Sequence, residues 1–262
     1  MGSKTKGKKM KKLWLIVGLV GALWATTAQA TFQISSWDRL SGYYSGNGGE
    51  FTLTPNTALA AQLVVGTFSD ISSMHGTFES FCLETGESMG PKNVAVNVVI
   101  NNKAIDGGVG PQGDPLSIGT SWLYSQFRNG GLGTLSTPYT RYNYSDTTGG
   151  GRSTSAGLLQ DAIWFLEDEA GVPDQSSNPF ILAAEHYLGN GTVDATLAQI
   201  KADAAPGAYG VVALNLYDAT TGALLQDQLA LVPEPTTMIA GALLLLPFGA
   251  STLRILRKNR AA

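Results

Sequence analysis

One cysteine, Cys82, stands in a chain of 262 residues, so no disulfide can form within the molecule and a disulfide-stapled scaffold is excluded. Histidine is nearly as scarce. His75 and His186 lie far apart in sequence and have no Cys pair beside them, which leaves no zinc ligand set. No Gly-x-Ser-x-Gly accompanies them, so a Ser–His hydrolase has no footing either. The glycine string at 108–113 matches a dinucleotide fingerprint only formally, because Pro111 interrupts it and no βαβ pattern surrounds it. Neither a cofactor nor a metal is expected, and no catalytic constellation marks an enzyme. No internal repeat and no long low-complexity tract is present.

Basic residues are rare where they would matter for nucleic acid. Of the 17 Lys and Arg, six fall in the first dozen residues and four (Arg254, Arg257, Lys258, Arg260) in the last nine. The seven that remain between residues 13 and 253 face all 20 acidic residues, a net charge of about −13 over that stretch. An acidic body of this kind argues against nucleic acid as a partner.

What is present begins at the two ends. A basic stretch closing at Lys12, an apolar run over 13–24 and the tripeptide Ala28-Gln29-Ala30 form the three zones of a signal peptide, with cleavage by signal peptidase expected after Ala30. At the other end Pro233-Glu234-Pro235 precedes an apolar run over 238–253 and the Arg-rich cluster. Sixteen apolar residues with flanking Thr and snorkelling Arg suffice for a membrane helix, and positive charge beyond it predicts a cytoplasmic end. The two prolines hold the preceding stretch extended and open to a processing enzyme.

These three parts, in this order, resemble the PEP-CTERM sorting signal of Gram-negative bacteria. The resemblance covers the last thirty or so residues. It implies recognition of Pro233-Glu234-Pro235 by an exosortase, a transient inner-membrane tether, removal of the tail, and a mature form at the cell surface or in the extracellular matrix. Three segments are therefore expected: a signal peptide over 1–30, an extracytoplasmic domain over 31–231 and a sorting signal over 232–262.

The domain itself reads as α+β. Residues 51–53, 62–67, 77–83 and 94–100 are short β-branched or aromatic runs between Gly, Pro and Asn, and are predicted strands. A loop is expected over 101–115 and helices over 117–128, 153–169, 178–188 and 193–204, with Leu159, Ile163 and Leu166 forming one apolar stripe. Strands over 211–217 and 224–231 close the chain around a turn at 218–222. Strands, then helices, then strands predict a mainly antiparallel β body with inserted helices.

Two short elements carry chemistry. Phe81-Cys82-Leu83-Glu84 lies in a predicted strand, where Phe81 and Leu83 share one face and Cys82 takes the other. Gln160-Asp161-Ala162-Ile163-Trp164 lies in the predicted long helix. Together they resemble the two halves of a bacterial thioester domain, although Leu159 stands where that family has Thr. The resemblance implies an internal thioester between the Cys82 sulfur and the Gln160 acyl group, open to attack by an amine on a target surface. A buried structural cysteine is the plainer account of the same residue.

The remaining signals are weaker. Glu167-Asp168-Glu169 reads as a solvated helix end. A Tyr-rich loop with Tyr139, Tyr142 and Tyr144 either packs over the domain or stacks on sugars. The functional expectation is an adhesive or structural surface protein, attached covalently through Cys82 and Gln160 to exopolysaccharide or a surface amine. The alternative is a glycan-binding module without thioester chemistry.

Overall fold

In a computed structural model the described residues are 31–39, 44–45, 48–66, 76–106, 113–136, 138–145, 151–190 and 192–233. Six strands form one antiparallel sheet: β1 (Gln33–Asp38), β2 (Phe51–Pro55), β3 (Phe78–Ser80), β4 (Val96–Asn101), β5 (Val211–Asp218) and β6 (Leu224–Leu231), in the order β6-β5-β4-β1-β2-β3. The two outer strands also meet. Just past β3, Phe81 C=O accepts from Leu229 N–H and Leu83 N–H donates to Asp227 C=O, with Cys82 opposite Gln228. The sheet thereby closes on itself, which leaves few unpaired edges.

Strand alternation divides the apolar residues cleanly between two cores. Ile34, Phe51, Leu53, Phe78, Cys82, Val96, Leu214, Leu216 and Ala230 fill the inside of the ring. Phe81, Leu83, Val211, Ala213, Leu229 and Leu231 face outward into the second core, beneath the helices. Each large side chain so buried contributes about 1.5–3 kcal/mol of transfer free energy.

Helices α1 (Ile118–Arg128), α2 (Arg152–Leu166) and α3 (Pro179–Leu188) are inserted between β4 and β5. Ser117 caps α1 by accepting from Thr120 N–H, and Asn178 caps α3 ahead of Pro179 at its first position. The stripe of α2 behaves as its spacing predicts, with Leu159, Ile163 and Leu166 buried against α1 and α3. A buried ion pair fixes its start. Arg152 Nε and Nη2 donate to the Glu50 carboxylate at 2.7–3.2 Å, and Tyr142 Oη donates to the same group. Removing one partner of such a pair typically costs about 3–5 kcal/mol.

Four expectations are corrected. Residues 62–66 are not a strand. Asn56 caps a single helical turn (Thr57–Ala60), Leu59 and Leu63 enter the inner core at helical spacing, and Val64 and Val65 stay exposed with no burial to drive a strand. The helix expected over 193–204 is one turn, Leu197–Ile200, because residues 202–204 leave it to pair with 116–118. The helix expected to reach 169 stops at Leu166, with Asp168 in the left-handed region at φ 56°. The strand expected to reach 83 leaves its β2 ladder after Ser80. Among the described residues no helix is long and apolar enough to cross a membrane. The expected signal peptide and sorting helix fall on residues outside those described.

Candidate functional site

The β2–β3 ladder pairs Leu53 with Phe78, Thr52 with Glu79 and Phe51 with Ser80. Carried on in the same register, it would pair Gly49 with Cys82. It does not continue. The segment Phe81–Leu83 turns its outer hydrogen bonds to β6, and the inner N–H and C=O of Cys82 are left facing the place where Gly49 should pair. The side-chain amide of Gln160 fills that gap. Cys82 N–H donates to Gln160 Oε1 at 3.1 Å, Gln160 Nε2 donates to Cys82 C=O at 2.8 Å, and Gly49 N–H donates to the same Oε1 at 3.3 Å. A carboxamide thus stands in for a peptide group in the wall of the sheet.

The sequence dictates the fit. On α2, Gln160 and Trp164 lie one turn apart on the face beside the apolar stripe, against the short pair Tyr44–Ser45 and Gly48–Gly49. A Cβ at Gly48 would stand 2.3 Å from Gln160 Cγ and 2.8 Å from Trp164 Cη2, so only glycine allows this approach. Gly49 sits at φ 112°, which also favours glycine. The next residue, Glu50, is the one Arg152 holds, so the glycine pair is tied to the start of the helix that carries Gln160.

Both side chains are closed off from solvent, with Cys82 0% and Gln160 1% exposed. The Cys82 side chain points into the inner core, opposite to Phe81 and Leu83, as strand alternation requires. Its cross-strand partner Gln228 donates from Nε2 to Sγ at 3.4 Å. Burial pushes the Cys82 thiol up to about 12, and the Gln228 hydrogen bond acts in the other direction. The free thiol is therefore protonated at neutral pH and shielded from alkylation. Two residues along, Glu84 accepts from Asp227 N–H at 2.8 Å. Burial, and then the Asp227 charge, hold the Glu84 carboxyl well above the ordinary range.

The other expected positions resolve as follows. Tyr142 is buried against Phe127 and Phe180, and Tyr144 Oη donates to Phe127 C=O, so these two rings pack and are not free to stack on a ligand. Tyr139 stacks on His186. The run 167–169 is not a solvated helix end. Glu167 accepts from Ser117 N–H and Glu169 from Thr85 N–H, both buried, and only Asp168 is exposed, paired with Lys201. The reason is that α1 and the 84–85 segment bring unpaired N–H groups to that end. Among the described residues no group of acidic, His or Cys side chains is arranged to hold a metal. Pro233 is the last described residue. Ala30, Glu234, Pro235, Arg254, Arg257, Lys258 and Arg260 lie outside the described residues.

Gly48, Gly49 and Gln228 are site residues that the sequence reading passed over. The adjacent glycines within 46–49 were the available signal. Gln228 had none, because its role depends on the pairing of β6 with a segment far earlier in the chain. Comparison with protein-family models, curated proteins and solved structures finds no match.

Proposed function

We propose that the chain is an exported surface or extracellular-matrix protein, sorted through Pro233-Glu234-Pro235 by an exosortase. Its body would serve adhesion through an internal Cys82–Gln160 thioester. One observation carries the second half of this reading: the carboxamide of Gln160 is inserted against the backbone of the only cysteine, in a fully buried seam. The sulfur would bond to Gln160 Cδ and displace Nε2 as ammonia. A surface amine, on a protein or on an amine-bearing exopolysaccharide, would then take the acyl group and return the thiol. Exclusion of water protects an acyl–sulfur bond until such an amine arrives.

The test is the intact mass of the mature chain, before and after methylamine. A mass low by one ammonia, replaced by one methylamine at Gln160 and absent in Cys82→Ala, supports the reading. A full mass that methylamine leaves unchanged sinks it.

A second reading, a glycan-binding module, is favoured by an open cleft of about 520 Å³ between the end of α3 and Tyr209, with Asn190, Asp194 and Gln199 on its walls. Tyr209 is exposed and held at φ 55°, a strained posture for a large side chain. Retention on exopolysaccharide that survives Cys82→Ala and is lost in Tyr209→Ala would select this reading.

A further inference from the structure

We propose that the seam is an acyl-transfer pocket, in which the N–H groups of Cys82 and Gly49 form an oxyanion hole for the Gln160 carbonyl and Gln228 holds the sulfur. The inference rests on the thioester reading and names the groups that would make that chemistry proceed. Its basis is geometric. Two backbone donors converge on one oxygen, at 3.1 and 3.3 Å, and one of them belongs to the nucleophile's own residue. Serine proteases use the same economy, with the nucleophile's N–H and a glycine N–H sharing the oxyanion. An uninterrupted ladder would have paired Gly49 and Cys82 with each other. The split ladder instead aims both donors at the atom where negative charge develops during attack on Cδ.

The steps balance. In formation, the Sγ–Cδ bond forms while the oxygen takes up charge against the two N–H groups. The Cδ–Nε2 bond then breaks, and the nitrogen leaves as ammonia with the thiol proton. In opening, an amine nitrogen bonds to Cδ, the charge returns to the same oxygen, and the Cδ–Sγ bond breaks. The amine's proton passes to sulfur. At that moment sulfur is the leaving group, and the Gln228 amide is the donor facing it. Gln228 is fully buried and its Oε1 has no hydrogen-bond partner among the described residues, so packing and hydrogen-bond satisfaction alone would favour an apolar side chain there. Its useful contact is the one to sulfur.

Two variants of the full mature chain test this, read by intact mass and by the rate of methylamine incorporation. Gly48→Ala places a methyl group on Gln160 and moves its carbonyl off the donors. Thioester formation should slow by ~100-fold, the usual loss for one oxyanion donor. Gln228→Leu removes only the donor to sulfur and should fold at least as well as the parent. Its thioester should open with methylamine on the order of tenfold more slowly, the scale of one hydrogen bond to a charged group. A parent chain of full mass overturns both the thioester reading and the pocket. A parent with the mass deficit, alongside variants that form and open the bond at parental rates, overturns the pocket alone.

Discussion

The grip of Gln160 on the sheet has an energetic consequence that can be measured without any thioester. In a Cys82→Ala background no acyl–sulfur bond can form, but the backbone at position 82 keeps its N–H and C=O. Adding Gln160→Met then replaces the carboxamide with an apolar side chain of similar length. Three hydrogen bonds disappear, and two N–H groups and one C=O are left buried. Each unsatisfied buried group costs about 1–3 kcal/mol, and the burial of Met returns part of that, so the net loss should be about 3–6 kcal/mol. That is a large share of the ~5–15 kcal/mol typical of a domain, and corresponds to a fall in Tm of about 6–24 °C at this size. Urea titration followed by far-UV circular dichroism gives the difference directly. Hydrogen exchange adds a local reading, because the amide protons of residues 49 and 82 should lose protection when those of the adjoining strand β3 do not. A loss below about 1 kcal/mol, or unchanged protection at both amides, would refute the account of Gln160 as a substitute strand partner.

Two further outcomes are expected. Burial lifts the carboxyls of Glu79 and Glu167 to about 7, so the folded chain keeps these protons to higher pH than the unfolded chain, which releases them near 4.3. Protons bound preferentially by the native state make stability rise as pH falls from about 8 to 5, by roughly 1–3 kcal/mol per group. Urea midpoints at pH 5 and pH 8 check this; a less stable domain at pH 5, or a Glu79→Gln variant with the same pH dependence as the parent, would contradict it. If residues 232–262 are the sorting signal proposed above, Glu234→Ala in the native host should leave an unprocessed, membrane-associated precursor, and cell fractions showing unchanged size and location would count against exosortase processing.

Much of the architecture was legible because it follows from local pattern. The α2 stripe and its neighbours at 117–128 and 178–188, with Ser117 and Asn178 as caps, carry their own signals of spacing and capping. The closing hairpin does too, since Asp218 accepts from Thr220 and Thr221 N–H groups in the turn. Strand β1 escaped because a bulge between Ile34 and Ser36 puts Ile34 and Trp37 on the same inner face, three residues apart, which breaks the period of two. A second bulge between Leu225 and Gln228 similarly obscures which β6 side chains turn inward. At the site, Cys82 and Gln160 could be nominated from their short motifs. Gln228 could not, since it reaches the seam only through strand pairing with a segment far earlier in the chain, and Gly49 offered no more than its place in a glycine pair.

The inserted amide also constrains the order of assembly. In the wall of the ring between β2 and the segment after β3, Gly49 and Cys82 do not pair with each other. The missing link is delivered by Gln160 of α2, 78 residues after the cysteine. A chain that had made only its first four strands would carry an open slit there. The slit seals when α2 docks, and the same stretch after β3 is gripped from the other side by β6, the last strand of the sheet. The helical insertion is therefore the keystone without which the ring stays ajar. Folding of the sheet and of the helices should appear as one cooperative event.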